Sequence, residues 1–255
     1  MIILNFYFTG DTHGQVMTRL ERLKWAYPDA NPKETALVIL GDAGFNFYLS
    51  KTDTKLKQNV QSTGYTIYCL RGNHEERPEN IATYHKVFDN EVAGYVYIED
   101  EFPNIRFLVD GAEYCFGGYT CLAIGGAYSV DKHYRLLRAG LTEETNNPKV
   151  SGWFCGELLT EGEMEKITNS LKENYYFIIS HCAPRTFEPT DLFLPFIDQS
   201  TVNKSMEDFL DKVAGATNWS YWLFGHYHRD RQERDNVLQM YEHIYSLDEI
   251  IRLLS

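Results

Sequence analysis

The sequence predicts an α/β fold, because strand-like and helix-like patterns alternate from the beginning of the chain. Apolar runs at 2–8, 36–40 and 65–70 are separated by two helical patterns, at 15–27 and 51–61. Strands that alternate with helices usually pair in parallel, so the sheet is expected to begin as a parallel one. With 255 residues and 44% hydrophobic residues, the chain is long enough to bury a full core in one large domain.

Each of the first two helices has a pattern that fits its place between strands. In the first, Val16, Leu20 and Leu23 recur at helical spacing, which predicts a helix packed on the sheet. The second is polar along its length, which is typical of an exposed connecting helix.

The middle of the chain changes from this alternation to a series of short β-like runs. They lie at 95–98, 105–109, 113–116 and 120–124, with glycine, proline and aspartate between them. Short strands joined by turn residues predict an antiparallel stretch.

A polar segment at 127–156 follows, with Asn146, Asn147 and Pro148 at its middle. It is too polar for a core strand, so we expect a loop with a short helix that lies over the site. We interpret it as a substrate-facing insertion in a single domain that spans residues 1–255.

The last third returns to helical patterns. Residues 161–173 are amphipathic, and Thr160 followed by Glu163 predicts a capping box at the start of that helix. Another helical run lies at 206–213, and 237–254 is expected to hold a last strand and a closing helix.

Charge and cysteine usage exclude several classes of protein. The net charge of −12 argues against non-specific binding to nucleic acid or to an anionic membrane, since both need a basic face. No apolar run approaches 18 residues, and the first four residues lack the features of a signal peptide and instead begin a strand. The five cysteines are odd in number and scattered, so we expect a reducing, cytoplasmic setting.

Five apolar runs end directly in residues that ligate metals or transfer protons. These residues are Asp11, His13, Asp42, Asn73, His74, His181, His226 and His228. In an α/β sheet the ligand site lies beyond the carboxyl ends of the strands, so these side chains are expected to meet. Their nitrogen and oxygen donors suit two divalent cations.

Taken singly, each of these motifs has an ordinary structural alternative. A Gly-Asp pair is most often a turn, and a histidine after a strand is most often a hydrogen-bonded core residue. His226 and His228, two residues apart, fit a solvated strand as well as a metal site. Their joint occurrence at five strand ends favours a shared metal site.

The order Gly10-Asp11-Thr12-His13, Gly41-Asp42, Gly72-Asn73-His74-Glu75, His181 and Gly225-His226-Tyr227-His228 resembles the calcineurin-like metallophosphoesterases, in particular small bacterial and phage members. The resemblance spans residues 10–228. It implies a four-layer αββα sandwich, in which two mixed β-sheets are flanked by helices.

The resemblance also implies a role for each motif residue. Asp11, His13 and His228 would hold one metal, and Asn73, His181 and His226 would hold the other. Asp42 would bridge the two metals and so take part in catalysis. His74 would not ligate, and would act as the general acid for the leaving alkoxide.

Two divalent cations roughly 3.5–4 Å apart lower the pKa of a bridging water and so supply hydroxide at neutral pH. The function expected is therefore hydrolysis of a phosphodiester or of a small phosphate ester, including a nucleotide, through a metal-bridging hydroxide. Manganese is the first choice of metal, and iron, zinc and magnesium also suit donors without a thiolate.

Comparison with the family pattern helps to choose between a phosphoesterase of small substrates, a phosphoprotein phosphatase and a non-catalytic protein. The Ser/Thr protein phosphatase branch carries an Asp-Arg-Gly element, whereas residues 41–47 here read Gly-Asp-Ala-Gly-Phe-Asn-Phe without an arginine. This lowers the odds of a phosphoprotein phosphatase. A non-catalytic metal-binding interaction module is disfavoured because every ligand position and His74 are filled.

Two arginines are candidates to bind the phosphate instead. Arg71 directly precedes Gly72, and it is equally well explained by a salt bridge under the loop. Arg135 lies in the 127–156 segment, where its alternative role is in a basic helix face that balances an acidic protein.

Overall fold

Two β-sheets form the centre of the molecule in a computed structural model that describes residues 4–193 and 195–254. The strands are β1 (Asn5–Thr9), β2 (Thr35–Ile39), β3 (Thr66–Cys69), β4 (Tyr84–Asp89), β5 (Gly94–Glu99), β6 (Ile105–Leu108), β7 (Ala112–Phe116), β8 (Tyr119–Ile124), β9 (Asn174–Ser180), β10 (Asn218–Phe224), β11 (Arg231–Arg234), β12 (Val237–Gln239) and β13 (Tyr245–Ser246). The α-helices are α1 (Val16–Ala26), α2 (Lys51–Gln61), α3 (Lys132–Ala139), α4 (Pro148–Ser151), α5 (Glu161–Ser170), α6 (Ser205–Ala216) and α7 (Leu247–Leu254).

Both sheets are mixed. The first has the order β13-β1-β2-β3-β6-β5-β4, and the second has the order β11-β12-β10-β9-β8-β7. Parallel pairing joins β1, β2, β3 and β6 in the first sheet, and β8, β9, β10 and β12 in the second. The other pairs are antiparallel and lie towards the sheet edges.

The central strands are mostly apolar because both faces of each sheet are covered. In β2, Ala36 and Val38 belong to the core between the two sheets, whereas Leu37 and Ile39 pack with α1 and α2 on the outer face. Alternate side chains of a strand point to opposite faces, so a strand buried on both sides needs no polar positions.

Three apolar clusters therefore separate four layers. Phe8 of β1 and Phe177 of β9 meet between the sheets, with ring centroids 6.5 Å apart. Helices α1 and α2 cover the first sheet, and Phe209 and Leu210 of α6 cover Trp222 of the second. The predicted four-layer sandwich is confirmed.

Most predicted elements occur near their expected positions. Helix α2 has the expected bounds, and Thr160 and Glu163 form the predicted capping box at α5. The predicted first strand began at Ile2, but residues 1–3 lie outside the described part, and β1 begins at Asn5.

Strand β4 was missed in the sequence. It pairs only with β5 at the edge of the first sheet, and most of its side chains are exposed or half-buried, so it lacks the apolar run of a central strand. The 127–156 segment contains two helices, α3 and α4, rather than one. No helix in the described ranges is long and apolar enough to cross a membrane.

Candidate metal centre and active site

The predicted site residues converge at the carboxyl ends of five parallel strands. In the first sheet β1, β2 and β3 are neighbours and lead to Asp11, Asp42 and Asn73. In the second sheet β9 and β10 are neighbours and lead to His181 and His226. The site lies where the same ends of the two sheets meet, as expected for α/β sheets.

Asp11, His13 and His228 form one group of candidate ligands. The Nε2 atom of His228 lies 3.1 Å from Oδ2 of Asp11 and 2.9 Å from Nε2 of His13. The Nε2 atom of His13 lies 3.8 Å from the same Asp11 oxygen. Atoms this close can all contact one cation.

Asp42, Asn73 and His181 lie directly beside this group. Oδ2 of Asp42 is 3.6 Å from Nε2 of His181 and 4.0 Å from Nδ1 of His13. Oδ1 of Asn73 is 2.9 Å from Nε2 of His181. One oxygen of Asp42 therefore lies between a candidate ligand of each predicted metal, which is the position that a bridging carboxylate needs.

His226 completes the constellation. Its ring centroid lies 5.0 Å from that of His181, and its backbone N–H donates to Oδ1 of Asp11 at 2.9 Å. Burial, followed by repulsion from His181, lowers the pKa of His226 to about 3. The imidazole is therefore neutral, which is the form that ligates a metal.

The backbone is strained at four of the candidate metal ligands. Six non-glycine residues within the described ranges have φ in the left-handed region, and four are candidate ligands: His13 at 44°, Asp42 at 50°, His226 at 67° and His228 at 52°. Such conformations are uncommon for these residue types and tend to occur at functional sites. They turn the side chains of neighbouring loops towards one point.

Glycine at position 41 is required by both conformation and space. Its φ is 101°, and a Cβ placed there would lie 1.9 Å from Nδ1 of His181. The β2 loop can therefore approach the β9 histidine only because residue 41 has no side chain. Nδ1 of His181 instead contacts the carbonyl oxygen of Leu40 at 2.8 Å, which fixes the ring.

The two buried carboxylates of the site need positive charge beside them. The side chains of Asp11 and Asp42 are 0% and 1% exposed, and their ion-pair partners in the described chain are histidines. Burial opposes ionisation of Asp42, but the charge of His181 and its hydrogen bond outweigh burial and lower the pKa of Asp42. Buried carboxylates must be paired or must coordinate metals, so the donor set fits divalent cations.

His181 supplies this charge when no cation is bound. Burial alone lowers the pKa of His181, but the carboxylates of Asp42 and Asp11 outweigh burial and raise it to about 9. A histidine that ligates a metal must be deprotonated, so a divalent cation bound at His181 would replace the single charge of this proton with two positive charges.

His74 lies among the candidate ligands without joining either group. Its backbone N–H donates to Oδ1 of Asp42 at 2.8 Å, and its ring centroid is 5.7 Å from that of His13. Burial lowers the pKa of His74, with Asp42 opposing the shift and Arg135 adding to it. The lowered pKa makes its protonated form a stronger acid.

Two cavities adjoin the cluster, and His74, Asp131 and His228 border both of them. One has a volume of about 330 Å³ and is bordered by Asn73, Tyr128 and eight residues from a later stretch of the chain: Glu188, Leu192, Phe193, Ile197, Gln199, Val202, Lys204 and Glu207. The other has a volume of about 650 Å³ and is bordered by His13, Phe47 and Arg135. A phosphorus atom held at the cluster would have room for a substituent in each cavity.

Residues within 188–193 and 197–204 border the smaller cavity, which the sequence does not predict. Sequence reasoning placed the substrate contacts in 127–156, and that segment does supply Tyr128, Ser129 and Asp131 to the cavities. The apolar side chains Leu192, Phe193 and Ile197 were the available signal, because they occur in a stretch without helical or strand spacing.

Of the two predicted roles of Arg71, the structure supports the salt bridge and not the phosphate contact. It is 2% exposed, and its Nε and Nη2 bind Oδ2 of Asp110, each at 2.9 Å. Its remaining N–H groups donate to the carbonyl oxygens of Gly125, Gly156 and Glu157. All five donors of a guanidinium are then occupied, which leaves none for a substrate.

Replacement of Arg71 by methionine is expected to lower the free energy of unfolding by about 3–5 kcal/mol, because it leaves Asp110 and several carbonyls without their partner. Urea denaturation measures this loss. Arg185→Met, which removes an exposed ion pair with Asp208, is the matched control and should cost under about 1 kcal/mol. Equal stability of the two variants would refute the structural role of Arg71.

Arg135 borders the larger cavity together with His13 and His74. Its Nε binds Asp131 at 2.7 Å and its Nη1 donates to the carbonyl oxygen of Gly152 at 2.9 Å. Within the described chain no partner binds its Nη2, so Arg135 keeps donors for a ligand. Its predicted substrate contact is compatible with this position and stays a prediction.

An αββα sandwich whose strand ends bring buried carboxylates, imidazoles and an amide oxygen to one point is the frame of a metal-dependent hydrolase. The sequence profile of the calcineurin-like phosphoesterases matches residues 4–230, and the chain belongs to that family. Members of the family are metallophosphoesterases, which use divalent metals to hydrolyse phosphoric esters.

Similar solved structures include two enzymes of phosphate chemistry. Phosphopantetheinyl hydrolase from Mycobacterium tuberculosis is 13% identical, with a TM-score of 0.45 over 94% of this chain and 89% of that one. A protein serine/threonine phosphatase from Saccharomyces cerevisiae is 13% identical, with a TM-score of 0.34 over 94% of this chain and 68% of that one. No curated protein sequence matches the chain at a significant level.

Proposed function

We propose that the protein is a dinuclear metal-dependent phosphodiesterase, with small phosphate monoesters as the alternative substrates. The observation that carries the proposal is the pair of cavities beside the ligand cluster, both of which are bordered by His74, Asp131 and His228. A diester places two substituents on phosphorus and can use both cavities. A monoester uses only one of them.

The ligand groups support two ions. Asp11, His13 and His228 would hold one, Asn73, His181 and His226 would hold the other, and Asp42 would contact both. When bound, two divalent ions withdraw charge from the phosphoryl oxygens and acidify water, which promotes attack on phosphorus. Manganese is our first choice among the metals that suit nitrogen and oxygen donors.

The chain itself supplies the proton for the leaving group. His74 borders both cavities, so it lies beside either ester oxygen of a bound diester. The hydrogen bond from its backbone to Asp42 fixes its distance from the metal ligands. We therefore assign protonation of the leaving oxygen to His74, whose imidazole can carry and deliver the proton.

The phosphoprotein phosphatase alternative lacks support in the second loop. Phe45 is fully buried, and Asn46 binds the Tyr84 hydroxyl and the carbonyl of Glu76. These side chains point into the protein and provide no cation for a phosphate dianion. The non-catalytic alternative is disfavoured because His74 and all seven ligand positions are filled.

A small diester or a nucleotide is the partner that we propose. The chain has a net charge of −12, which disfavours non-specific binding to nucleic acid and to anionic membranes. All five cysteines are free, three of them buried, which suits a reducing compartment such as the cytoplasm.

The substrate class is tested by kcat/KM for bis-p-nitrophenyl phosphate and p-nitrophenyl phosphate, both with Mn²⁺. The diester carries one negative charge and the monoester two, so a site without an arginine in the second loop should hydrolyse the diester at least as well. A strong preference for the monoester, together with turnover of phosphoserine peptides, would overturn the proposal and favour a phosphatase.

Arg135→Ala is expected to raise KM for bis-p-nitrophenyl phosphate by roughly tenfold, because a charge-assisted hydrogen bond contributes about 1.5 kcal/mol or more to binding. The metal content should not change, since Arg135 is not a ligand. Arg138→Ala, at an exposed position of the same helix, is the matched control and should leave KM unaltered. An unchanged KM for Arg135→Ala would remove Arg135 from the substrate site.

A further inference from the structure

The smaller cavity has an apolar wall that the metal chemistry does not require. Leu192, Phe193, Ile197 and Val202 border it, and each is half-buried. Its volume of about 330 Å³ is in the range of pockets that bury small organic ligands, roughly 300–1,000 Å³. A phosphoryl group alone needs neither this volume nor these apolar side chains.

Glu207 gives the same cavity a polar feature. It borders the cavity from α6 and is 3% exposed, and its Oε2 atom has no hydrogen-bond partner in the described chain. A buried acceptor without a partner costs roughly 1–3 kcal/mol, and more if it is charged. Burial accordingly raises the pKa of Glu207 to about 7.

The nearby lysine is already engaged by another carboxylate. Lys204 forms an ion pair with Glu188, and its Nζ is 4.0 Å from Oε1 of Glu207. Four carboxylates border the cavity with one lysine: Asp42, Asp131, Glu188 and Glu207. The cavity therefore disfavours an anionic group and favours one that donates a hydrogen bond.

We propose that this cavity is the specificity pocket for one ester substituent of the substrate, an apolar ring-sized group that carries an amino or other N–H donor. The apolar wall binds the body of the group, and the carboxylate of Glu207 accepts its hydrogen bond. This inference rests on the proposed hydrolysis of diesters, because the pocket adjoins the metal ligands Asn73, His226 and His228.

The test uses three diesters of p-nitrophenol with the Mn²⁺-loaded protein. Their second substituents are methyl, phenyl and 4-(aminomethyl)phenyl. Burial of a ring against the apolar wall should raise kcat/KM for the phenyl ester roughly 10-fold to 100-fold over the methyl ester. The hydrogen bond to Glu207 should raise it about tenfold further for the aminomethyl compound.

Two variants distinguish the contribution of the apolar wall to substrate preference from that of the hydrogen-bond acceptor. Glu207→Met has a side chain of similar length and is a good helix former, but it lacks the hydrogen-bond acceptor. It should therefore abolish the preference for the aminomethyl ester over the phenyl ester and retain the preference for the phenyl ester over the methyl ester. Val202→Trp narrows the pocket and should abolish the preference for the ring. Asp208→Met, at the exposed next residue of α6, is the control and should retain both preferences.

Binding of benzylphosphonate and 4-(aminomethyl)benzylphosphonate, measured by calorimetry, provides a readout that needs no turnover. If no diester is hydrolysed, the proposed function fails. The pocket is still supported if 4-(aminomethyl)benzylphosphonate binds more tightly than benzylphosphonate and Glu207→Met removes this difference. Hydrolysis of all three diesters without preference, or equal binding of the two phosphonates, overturns the pocket and leaves the proposed function standing.

Discussion

His74→Ala is expected to lower kcat by roughly 10²–10⁴ on a diester with a poor leaving group, while both metals are retained. His74 borders both cavities and contacts Asp42 only through its backbone N–H, which the substitution keeps. The loss reflects a missing proton donor, because an alkoxide leaves slowly unless it is protonated. Steady-state kinetics on a methyl or ethyl diester, with metal analysis of the same sample, measures both quantities.

The leaving group provides the internal control for His74. p-Nitrophenolate is stable without a proton, so the same variant should lose much less activity on bis-p-nitrophenyl phosphate. His85→Ala, an exposed histidine beside Asp100, should behave like the wild type on both substrates. An equal loss of activity on the two diesters would show that His74 is not the acid.

Asp42→Asn is expected to weaken both metals at once. Its Oδ2 lies 3.6 Å from His181 and 4.0 Å from His13, so removal of its charge affects the ligands of each predicted ion. Loss of a residue that only orients a ligand already costs roughly 10-fold to 100-fold in metal affinity, so loss of a shared carboxylate should exceed that. Activity should fall with metal content, and both can be followed in Mn²⁺ titrations.

The control for Asp42 is another buried carboxylate away from the cluster. Asp89 is 8% exposed and binds Arg106 and the hydroxyl of Tyr68. Asp89→Asn should lower the stability of the fold but retain the metals. Loss of one metal alone in Asp42→Asn, with the other bound at wild-type affinity, would contradict the bridging position.

The convergence of the candidate ligands could be predicted from the sequence because each of them follows a local pattern. A buried parallel strand is an apolar run, and the residues that follow it lie at one edge of the sheet. Asp11, Asp42 and Asn73 follow three such runs, and the structure brings them together with His181. The αββα layers were implied by the resemblance to the calcineurin-like metallophosphoesterases, and buried apolar strands agree with cover on both faces of each sheet.

Features that depend on distant parts of the chain could not be predicted in this way. The partners of Arg71 are Asp110 and the carbonyls of Gly125, Gly156 and Glu157, which only the folded chain brings to it. Leu192, Phe193, Ile197 and Val202 border a cavity rather than a sheet, so they follow no strand or helix spacing. Strand β4 is an edge strand with exposed side chains, so its sequence resembles that of a loop.

Titration of EDTA-treated protein with Mn²⁺, with bound metal and bis-p-nitrophenyl phosphate hydrolysis followed together, tests the central claim most directly. Two ligand groups that meet at Asp42 predict that about two equivalents bind and that activity reaches its maximum as the second is bound. A protein that binds no divalent metal under any loading condition, or that hydrolyses the diester fully without one, would contradict the account.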